Sequence, residues 1–346
     1  MSPRDSPHGR PYSGGQSQWV DAASVTYSGS YDRTDMGACF SFGFETGLRD
    51  HALGKSRNDA MVQFSSGRLR LGKIGFLNVL PIYYPLESGI ISHPFVIVSG
   101  SPACLNELMA AGRLDLSVVS SIEYARHPER YYILPDLSIS CCGAVKSVLL
   151  LSQVPVDRLN GKTILVTRES HTSVALLKIL FSEHLRVEAD LAPGCLREAA
   201  AGGNLPVAFL AIGDEALRLS AGDLYPYRLD LGEAWHSWTG LPFVFALWVI
   251  QRESAERLNG ALRTTMEVLA AAKHWGRSHL DYICAVGEQR GIVGIEALQV
   301  YYRCLGYDLR QGEQEGLNLF YSLLRNAGDI PRVPNLEVPA PLARVA

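Results

Sequence analysis

From Arg68 onward, short apolar segments alternate with segments that have the apolar period of a helix. The apolar runs predict strands over residues 69–77, 95–99, 116–119, 131–134 and 145–151. A helix is predicted over 105–111, and Gly112 follows it as a stop signal. This alternation is typical of an α/β fold with a mainly parallel sheet.

The same pattern begins again further along the chain. Strands are predicted over 163–166, 207–212 and 242–250, and a helix over 174–185 after the cap sequence Ser170-His171-Thr172-Ser173. Gly213-Asp214-Glu215 opens a further helical turn. Helical periods then follow near 255–273, 277–289, 293–304 and 313–326. The pattern therefore predicts a protein of two α/β lobes with a helical C-terminal section.

Residues 1–67 have a different pattern, because they are rich in Ser and Gly and keep no period of 2 or 3.6. Such a segment buries too little apolar area to offset the entropy lost on ordering. Two interpretations stay open: a disordered N-terminal extension, or a mis-annotated start that precedes the true one at Met61.

Composition and charge exclude several classes of protein. The 346 residues are 47% hydrophobic and 19% charged, and 32 Lys and Arg against 35 Asp and Glu give a net charge of −3. This balance predicts no surface for nucleic acid or anionic lipid. The apolar run 241–250 is far shorter than the roughly 20 residues that span a bilayer. With seven scattered cysteines and no readable signal peptide, the chain is predicted to be cytoplasmic.

Known cofactor and metal motifs are missing from the sequence. It contains no GxGxxG after the first strand, no GxxxxGK[ST], no HExxH and no GxSxG, and no two histidines stand four residues apart. We therefore predict neither a metal nor an organic cofactor.

Small polar residues instead collect where predicted strands pass into helices. In open α/β sheets this is where ligands bind, because helix N-termini present free N–H groups there. Such groups suit a small organic anion, although each residue by itself also fits an ordinary helix cap. Glu123, in the first turn of a helix, is either a site residue or an acid that complements the helix dipole. The candidates at these junctions are Asn78, Ser120, Ser121, Ser147, Ser170, Thr172, Ser173, Gly213 and Asp214.

Several segments, in one order, resemble the chorismate dehydratase family of the futalosine route to menaquinone. The first is GFLNVLPIY at 75–83, and the resemblance covers about 68–337. Further matching segments are GRLD at 112–115, SSIEY at 120–124, LPDLSI at 134–139, GAVKSV at 143–148, SHTS at 170–173, IGDEAL at 212–217 and WTGLPFVFA at 238–246.

The resemblance implies the fold of type II periplasmic binding proteins, with a ligand cleft between two lobes. On that template, 68–150 begins the first lobe, 151–241 forms the second, and 242–346 returns to the first and adds the C-terminal helices. Residues 145–152 and 242–250 would be the crossovers between the lobes. The implied partner is chorismate alone, bound by a monomer or homodimer, with no nucleic acid, membrane or cofactor.

The implied reaction is loss of water from chorismate, which gives 3-[(1-carboxyvinyl)oxy]benzoate. On this interpretation Asn78 and Ser147 are catalytic. Substrate-binding roles fall to Ser120, Ser121, Glu123, Ser170, Thr172, Ser173, Gly213 and Asp214. The substrate's own enolpyruvyl carboxylate is the expected base, and Glu123 and Asp214 are the candidates if a protein group takes the proton.

Two alternatives stay open. The related 1,4-dihydroxy-6-naphthoate synthase shares the fold, but its first strand typically ends in an SPxPxD-like stretch, from which LNVLP at 77–81 departs. A non-catalytic small-anion solute-binding protein would carry a signal peptide or lipobox, and none is visible before Arg68.

Overall fold

The computed structural model describes residues 68–203, 205–258 and 261–342. The predicted N-terminal extension, residues 1–67, lies outside this part of the chain. The strands, in chain order, are β1 (Leu69–Ile74), β2 (Phe95–Gly100), β3 (Leu116–Ser120), β4 (Tyr131–Cys141), β5 (Val148–Ser152), β6 (Thr163–Thr167), β7 (Asp190–Gly194), β8 (Ala208–Ile212), β9 (Tyr227–Asp230) and β10 (Phe243–Gln251).

These strands form two sheets, and each sheet is the centre of one lobe. The first sheet has the order β2-β1-β3-β10-β4, and the second has the order β7-β6-β8-β5-β9. We call the parts of the molecule built around them the first and the second lobe. The strand expected from Val145 begins at Val148 and belongs to the second sheet. The expected α/β class and the two lobes are confirmed.

Both sheets are mixed: in each, four of the five strands run in the same direction, as expected of a mainly parallel sheet, and one strand runs against them. β1 pairs in parallel with β2 and β3, and β6 pairs in parallel with β7 and β8. In contrast, β10 runs antiparallel to β3 and β4, and β5 runs antiparallel to β8 and β9. The reason is the chain path, because β5 and β10 enter their sheets from the other lobe and not through a crossover helix of the same lobe.

The helices are α1 (Leu80–Glu87), α2 (Pro102–Ala110), α3 (Ser121–Arg126), α4 (His171–Ile179), α5 (Leu196–Ala201), α6 (Gly213–Ser220), α7 (Leu231–Thr239), α8 (Arg252–Leu258), α9 (Ala261–Ser278), α10 (Leu280–Glu288), α11 (Ile295–Cys304) and α12 (Gln311–Asn326). A π-helical turn, Leu180–Leu185, continues α4. In the described part of the chain, no helix is both long enough and apolar enough to span a membrane.

The C-terminal helices pack closely against the first lobe. Gly276 of α9 lies so near α1 that an added Cβ would overlap the Pro81 carbonyl oxygen. Gly316 of α12 meets the Pro242 carbonyl, just before β10, in the same way. α11 carries Tyr301 and Tyr302, which are 1% and 2% exposed, and Tyr302 reaches the segment that follows β1. This packing places the C-terminal section directly behind the end of β1.

One side chain joins the two connections between the lobes. The first connection is residues 142–147, between β4 and β5, and the second is residues 240–242, between α7 and β10. Asp230, at the end of β9, accepts hydrogen bonds from the backbone N–H groups of Val145 and Lys146 in the first connection. The same carboxylate caps α7 through the N–H groups of Gly232 and Glu233. The second connection starts at the end of α7 and leads into β10. Asp230 therefore holds the first connection next to α7.

Candidate functional site

A cavity lies between the two lobes, where the carboxyl ends of β1, β3 and β8 meet the first connection. Apolar side chains form much of its lining, including Phe76, Val118, Ile139 and Phe245. Six of the ten predicted site residues also line it: Asn78, Ser120, Ser147, Ser170, Ser173 and Gly213. The structure brings these six dispersed positions to one cavity, and their contacts with a ligand stay a prediction.

Asn78 carries the clearest sign of an unmet partner. It lies in a 3-10 turn, Leu77–Val79, between β1 and α1. Its backbone carbonyl accepts a hydrogen bond of 2.8 Å from the Tyr307 hydroxyl, which holds the turn in place. Its side-chain Oδ1 is buried and has no hydrogen-bond partner among the described residues. Buried polar atoms are nearly always paired, so this oxygen is available to accept a hydrogen bond from a group that enters the cavity.

The serines of the lining differ in how their hydroxyl groups are used. Ser170 caps α4 by accepting from the Ser173 backbone N–H at 3.1 Å, and its hydroxyl donates to Ser173 Oγ at 2.8 Å. The proton of Ser173 Oγ is therefore free to face the cavity. Ser120 lies at the N-cap of α3 but makes no side-chain capping bond. Ser147, 4% exposed, accepts a hydrogen bond of 3.1 Å from Tyr301.

Several helix N-termini border this cavity. α2, α3, α4 and α6 each begin at or next to a lining residue. The aligned peptide dipoles leave partial positive charge at such ends, each worth about 0.3–1 kcal/mol for an anion. Among the described residues that line the cavity, Glu169 is the one charged side chain. Among the described residues, the polar groups that the lining offers to a ligand are therefore hydroxyls, amides and helix-end N–H groups, with no Lys or Arg side chain.

Four predicted site residues lie outside the lining. Ser121 and Thr172 are 0% and 1% exposed and meet behind the cavity, with their hydroxyl oxygens 3.4 Å apart. Thr172 Oγ1 also accepts the Ile122 backbone N–H at 3.2 Å, so this pair joins α3 of the first lobe to α4 of the second. Glu123 is half-buried on α3. A substrate contact for these residues stays a prediction.

Asp214 is the fourth residue outside the lining, and its carboxylate is already occupied. Oδ1 accepts the Leu77 backbone N–H at 2.9 Å, a bond that crosses from the second lobe to the first. Burial raises the pKa of Asp214, while this bond and the charges of Arg290 and Arg218 oppose the rise. Its position next to the Leu77–Val79 turn suits it to hold that turn across the cleft.

The sequence interpretation missed two polar residues of the lining, Asn106 and Glu169. Asn106 lies on α2, whose start is marked by Ser101 and Pro102. Glu169 immediately precedes the Ser170 cap. Both stand beside cap signals that were visible in the sequence, but only the fold shows that these helix ends face the same space.

Comparisons with known proteins show the family of this chain. A family model described as menaquinone biosynthesis matches residues 69–326. This chain belongs to the menaquinone biosynthesis family. A curated chorismate dehydratase from Thermus thermophilus is 32% identical over 272 residues, which cover 73% of this chain and 94% of the relative. A second chorismate dehydratase, from Campylobacter jejuni, is 34% identical over 180 residues, which cover 51% of this chain and 64% of the relative.

The fold of this chain is also known from binding proteins. The periplasmic aliphatic sulphonate binding protein from Escherichia coli superimposes with a TM-score of 0.56 at 14% identity, covering 80% of this chain and 99% of that one. At this identity the likeness shows the fold alone. The expected periplasmic-binding-protein-like architecture is confirmed.

Proposed function

We propose that this protein is a chorismate dehydratase, which converts chorismate into 3-[(1-carboxyvinyl)oxy]benzoate and water as the first step of the futalosine route to menaquinone. The observation that carries the proposal is the buried, unpartnered Oδ1 of Asn78 in the cavity between the lobes. The family membership and the two chorismate dehydratase relatives support it.

The chemistry needs a proton acceptor and a group that assists the departing hydroxyl. The C3–H bond breaks, its electron pair forms the C3–C4 double bond of the aromatic ring, and the C4–O bond breaks. The proton from C3 and the hydroxide from C4 leave together as water. Because aromatisation drives the reaction, the catalyst has to lower only the barrier to removal of a carbon-bound proton.

We assign that proton to the enolpyruvyl carboxylate of the substrate itself. Glu123 and Asp214 lie outside the lining, which argues against either as the base. Side-chain amides and hydroxyls predominate among the polar lining groups, and such groups position a ligand more readily than they deprotonate carbon. Holding a reactive conformer can supply an effective molarity of about 10⁵ M or more.

The two catalytic assignments follow from position. Asn78 would donate or accept at the reacting ring, and Ser147 would hydrogen-bond the departing hydroxyl or a carboxylate. Ser120 of the first lobe and Ser173 of the second would bind the carboxylates from opposite sides, aided by the helix ends. A ligand that needs both lobes favours closure around it, which excludes water from the reactive conformer.

The test is incubation of the purified protein with chorismate in the presence of EDTA and without added cofactor. Liquid chromatography with mass spectrometry should show the enolpyruvyl benzoate, formed by loss of one water, with many turnovers per protein. Saturable binding without turnover would overturn the proposal in favour of solute binding. Turnover of the substrate of 1,4-dihydroxy-6-naphthoate synthase, without turnover of chorismate, would favour that related enzyme.

A further inference from the structure

Three buried tyrosines from α11 and the segment after it support the cavity from behind. The Tyr302 hydroxyl donates to the Leu77 carbonyl at 3.0 Å, and the Tyr307 hydroxyl donates to the Asn78 carbonyl at 2.8 Å. The Tyr301 hydroxyl donates to Ser147 Oγ at 3.1 Å. Two of these bonds hold backbone, so of the three only Tyr301 acts directly on a side chain that lines the cavity.

The Tyr301 bond determines where the proton of Ser147 can go. A serine hydroxyl has one proton to donate and two lone pairs to accept with. Tyr301 is 1% exposed, and Ser147 Oγ is the one partner of its hydroxyl among the described residues. Burial raises the pKa of Tyr301, so the phenol keeps its proton and remains the donor. Ser147 therefore accepts from Tyr301 and has its own proton left for the cavity.

We propose that Tyr301 is a positioning residue that orients the Ser147 hydroxyl as a hydrogen-bond donor toward the substrate. This proposal rests on the proposed function and goes further, because it states which group donates in the hydrogen bond between Ser147 and the substrate. Tyr301 donates to Ser147, and Ser147 donates to the departing C4 hydroxyl or to a substrate carboxylate. In a dry site each bond of such a chain polarises the next, so Ser147 becomes a stronger donor than an isolated serine.

The direction of this chain suits the charge that develops in the reaction. As the C4–O bond breaks, electron density moves onto the leaving oxygen, which then accepts a stronger hydrogen bond. A donor aimed at that oxygen in advance needs no reorientation during the reaction. Without Tyr301, the Ser147 hydroxyl would rotate among several staggered positions and donate to the substrate in only some of them.

Tyr301→Phe tests the proposal because it keeps the ring and removes one donor. We expect kcat on chorismate to fall about three- to tenfold, the effect of one hydrogen bond, with KM changing less than about twofold. The decisive measurement is the same substitution in a Ser147→Ala background. There it should leave kcat unchanged, because no hydroxyl is left to orient. An equal fall in both backgrounds would overturn the proposal and make Tyr301 merely structural.

Tyr225→Phe is the matched control. Tyr225 is also buried, and its hydroxyl donates to the Pro206 carbonyl at 3.1 Å, but it lies in the second lobe outside the cavity lining. Its removal should lower stability and leave kcat unchanged. If the unaltered chain turns over chorismate and the Tyr301→Phe variant has the same kcat, only the positioning role of Tyr301 is wrong. If the unaltered chain shows no turnover, the proposed function fails and the inference fails with it.

Stability gives a second measurement that does not depend on activity. Ser147→Ala leaves the Tyr301 hydroxyl buried without an acceptor, so the urea midpoint should fall. Adding Tyr301→Phe should restore most of that loss by removing the unpaired donor. A further fall on adding the second substitution would contradict the bond on which the proposal stands.

Discussion

At the scale of single residues, several polar atoms of the cavity lining can still form hydrogen bonds that the protein itself does not provide. Asn78 Oδ1 is buried without a partner among the described residues, and Ser173 and Ser147 each keep a proton after their bonds to Ser170 and Tyr301. Groups left open in this way cost stability unless a ligand pairs with them. They are therefore the positions where a substitution changes activity more than folding.

Asn78→Ala should lower kcat about 100-fold, because a preorganised hydrogen-bonding group at a reacting centre typically contributes that much. The fold should survive, since Tyr307 holds the backbone carbonyl of residue 78 and not its side chain. Steady-state kinetics together with the thermal midpoint would measure both effects. Asn318→Ala, on the exposed face of α12, is the control and should match the unaltered protein. Full turnover by a folded Asn78→Ala protein would show that the assignment is wrong.

Glu169→Gln should change kcat by less than about threefold, because the proposed base is the substrate's carboxylate. Glu169 is the one carboxylate among the described residues of the lining, so it is the protein group to test first. The expected change is a lower KM, since the substitution removes negative charge next to a dianionic substrate. If the folded variant instead loses about 100-fold or more in turnover rate, Glu169 is the base.

At the scale of elements, the site depends on how the connections between the lobes are held. Asp230 binds the N–H groups of Val145 and Lys146 directly before Ser147, and it also caps α7. Lys146 has a left-handed backbone with φ of 65°, a conformation that costs free energy for a non-glycine residue. The carboxylate bonds stabilise this turn and with it the position of Ser147.

Asp230→Ala should lower the free energy of unfolding by about 2 kcal/mol, through the loss of a helix cap and of bonds to backbone N–H groups. It should also lower kcat, because Ser147 follows the released turn. Asp230→Asn keeps one acceptor oxygen, so its free energy of unfolding and its kcat should both fall less. Urea unfolding and steady-state kinetics would compare them with Asp223→Ala, an exposed loop variant. Equal stability of the Asp230→Ala and Asp223→Ala proteins would contradict this role.

At the scale of the whole molecule, a buried ion-pair network ties the first lobe together at the end far from the cavity lining. Asp115 is 1% exposed and accepts from the Arg70 guanidinium and backbone, from the Ser254 hydroxyl and from Arg257. Burial opposes ionisation of Asp115, but the bonds and charge of Arg70 outweigh it and lower its pKa to about 2. The network thus joins β1, β3 and α8.

A carboxylate whose pKa is depressed by folding stabilises the protein above its ordinary pKa and loses that contribution as the pH falls through the folded value. For Asp115 we expect about 2 kcal/mol to be lost between about pH 4 and pH 2. Asp115→Asn should cost about 2 kcal/mol at neutral pH, because it replaces the charge-assisted hydrogen bonds of a buried carboxylate to Arg70 and Arg257 by weaker neutral ones. Denaturant unfolding at several pH values would test this. If both proteins lose stability equally with acid, Asp115 is not the titrating group.

Much of the fold was predictable from the chain because its signals are local. The apolar runs at β2, β8 and β10 and the helical periods of α10, α11 and α12 match the structure to within a few residues. The prediction missed α1, which carries prolines at positions 81 and 85, and the edge strands β7 and β9, which are short and partly exposed. Such elements are held by their neighbours, so their own residues give little signal.

The sequence by itself determined which small polar residues stand at the ends of strands, because capping and the strand-to-helix alternation are properties of neighbouring residues. Only the tertiary structure decided which of them face one cavity, that Asn106 and Glu169 join them, and that Tyr301 supports Ser147 from 154 residues away. It also placed β10 between β3 and β4. These pairings follow from the burial of apolar faces of elements far apart in the chain, which no local pattern encodes.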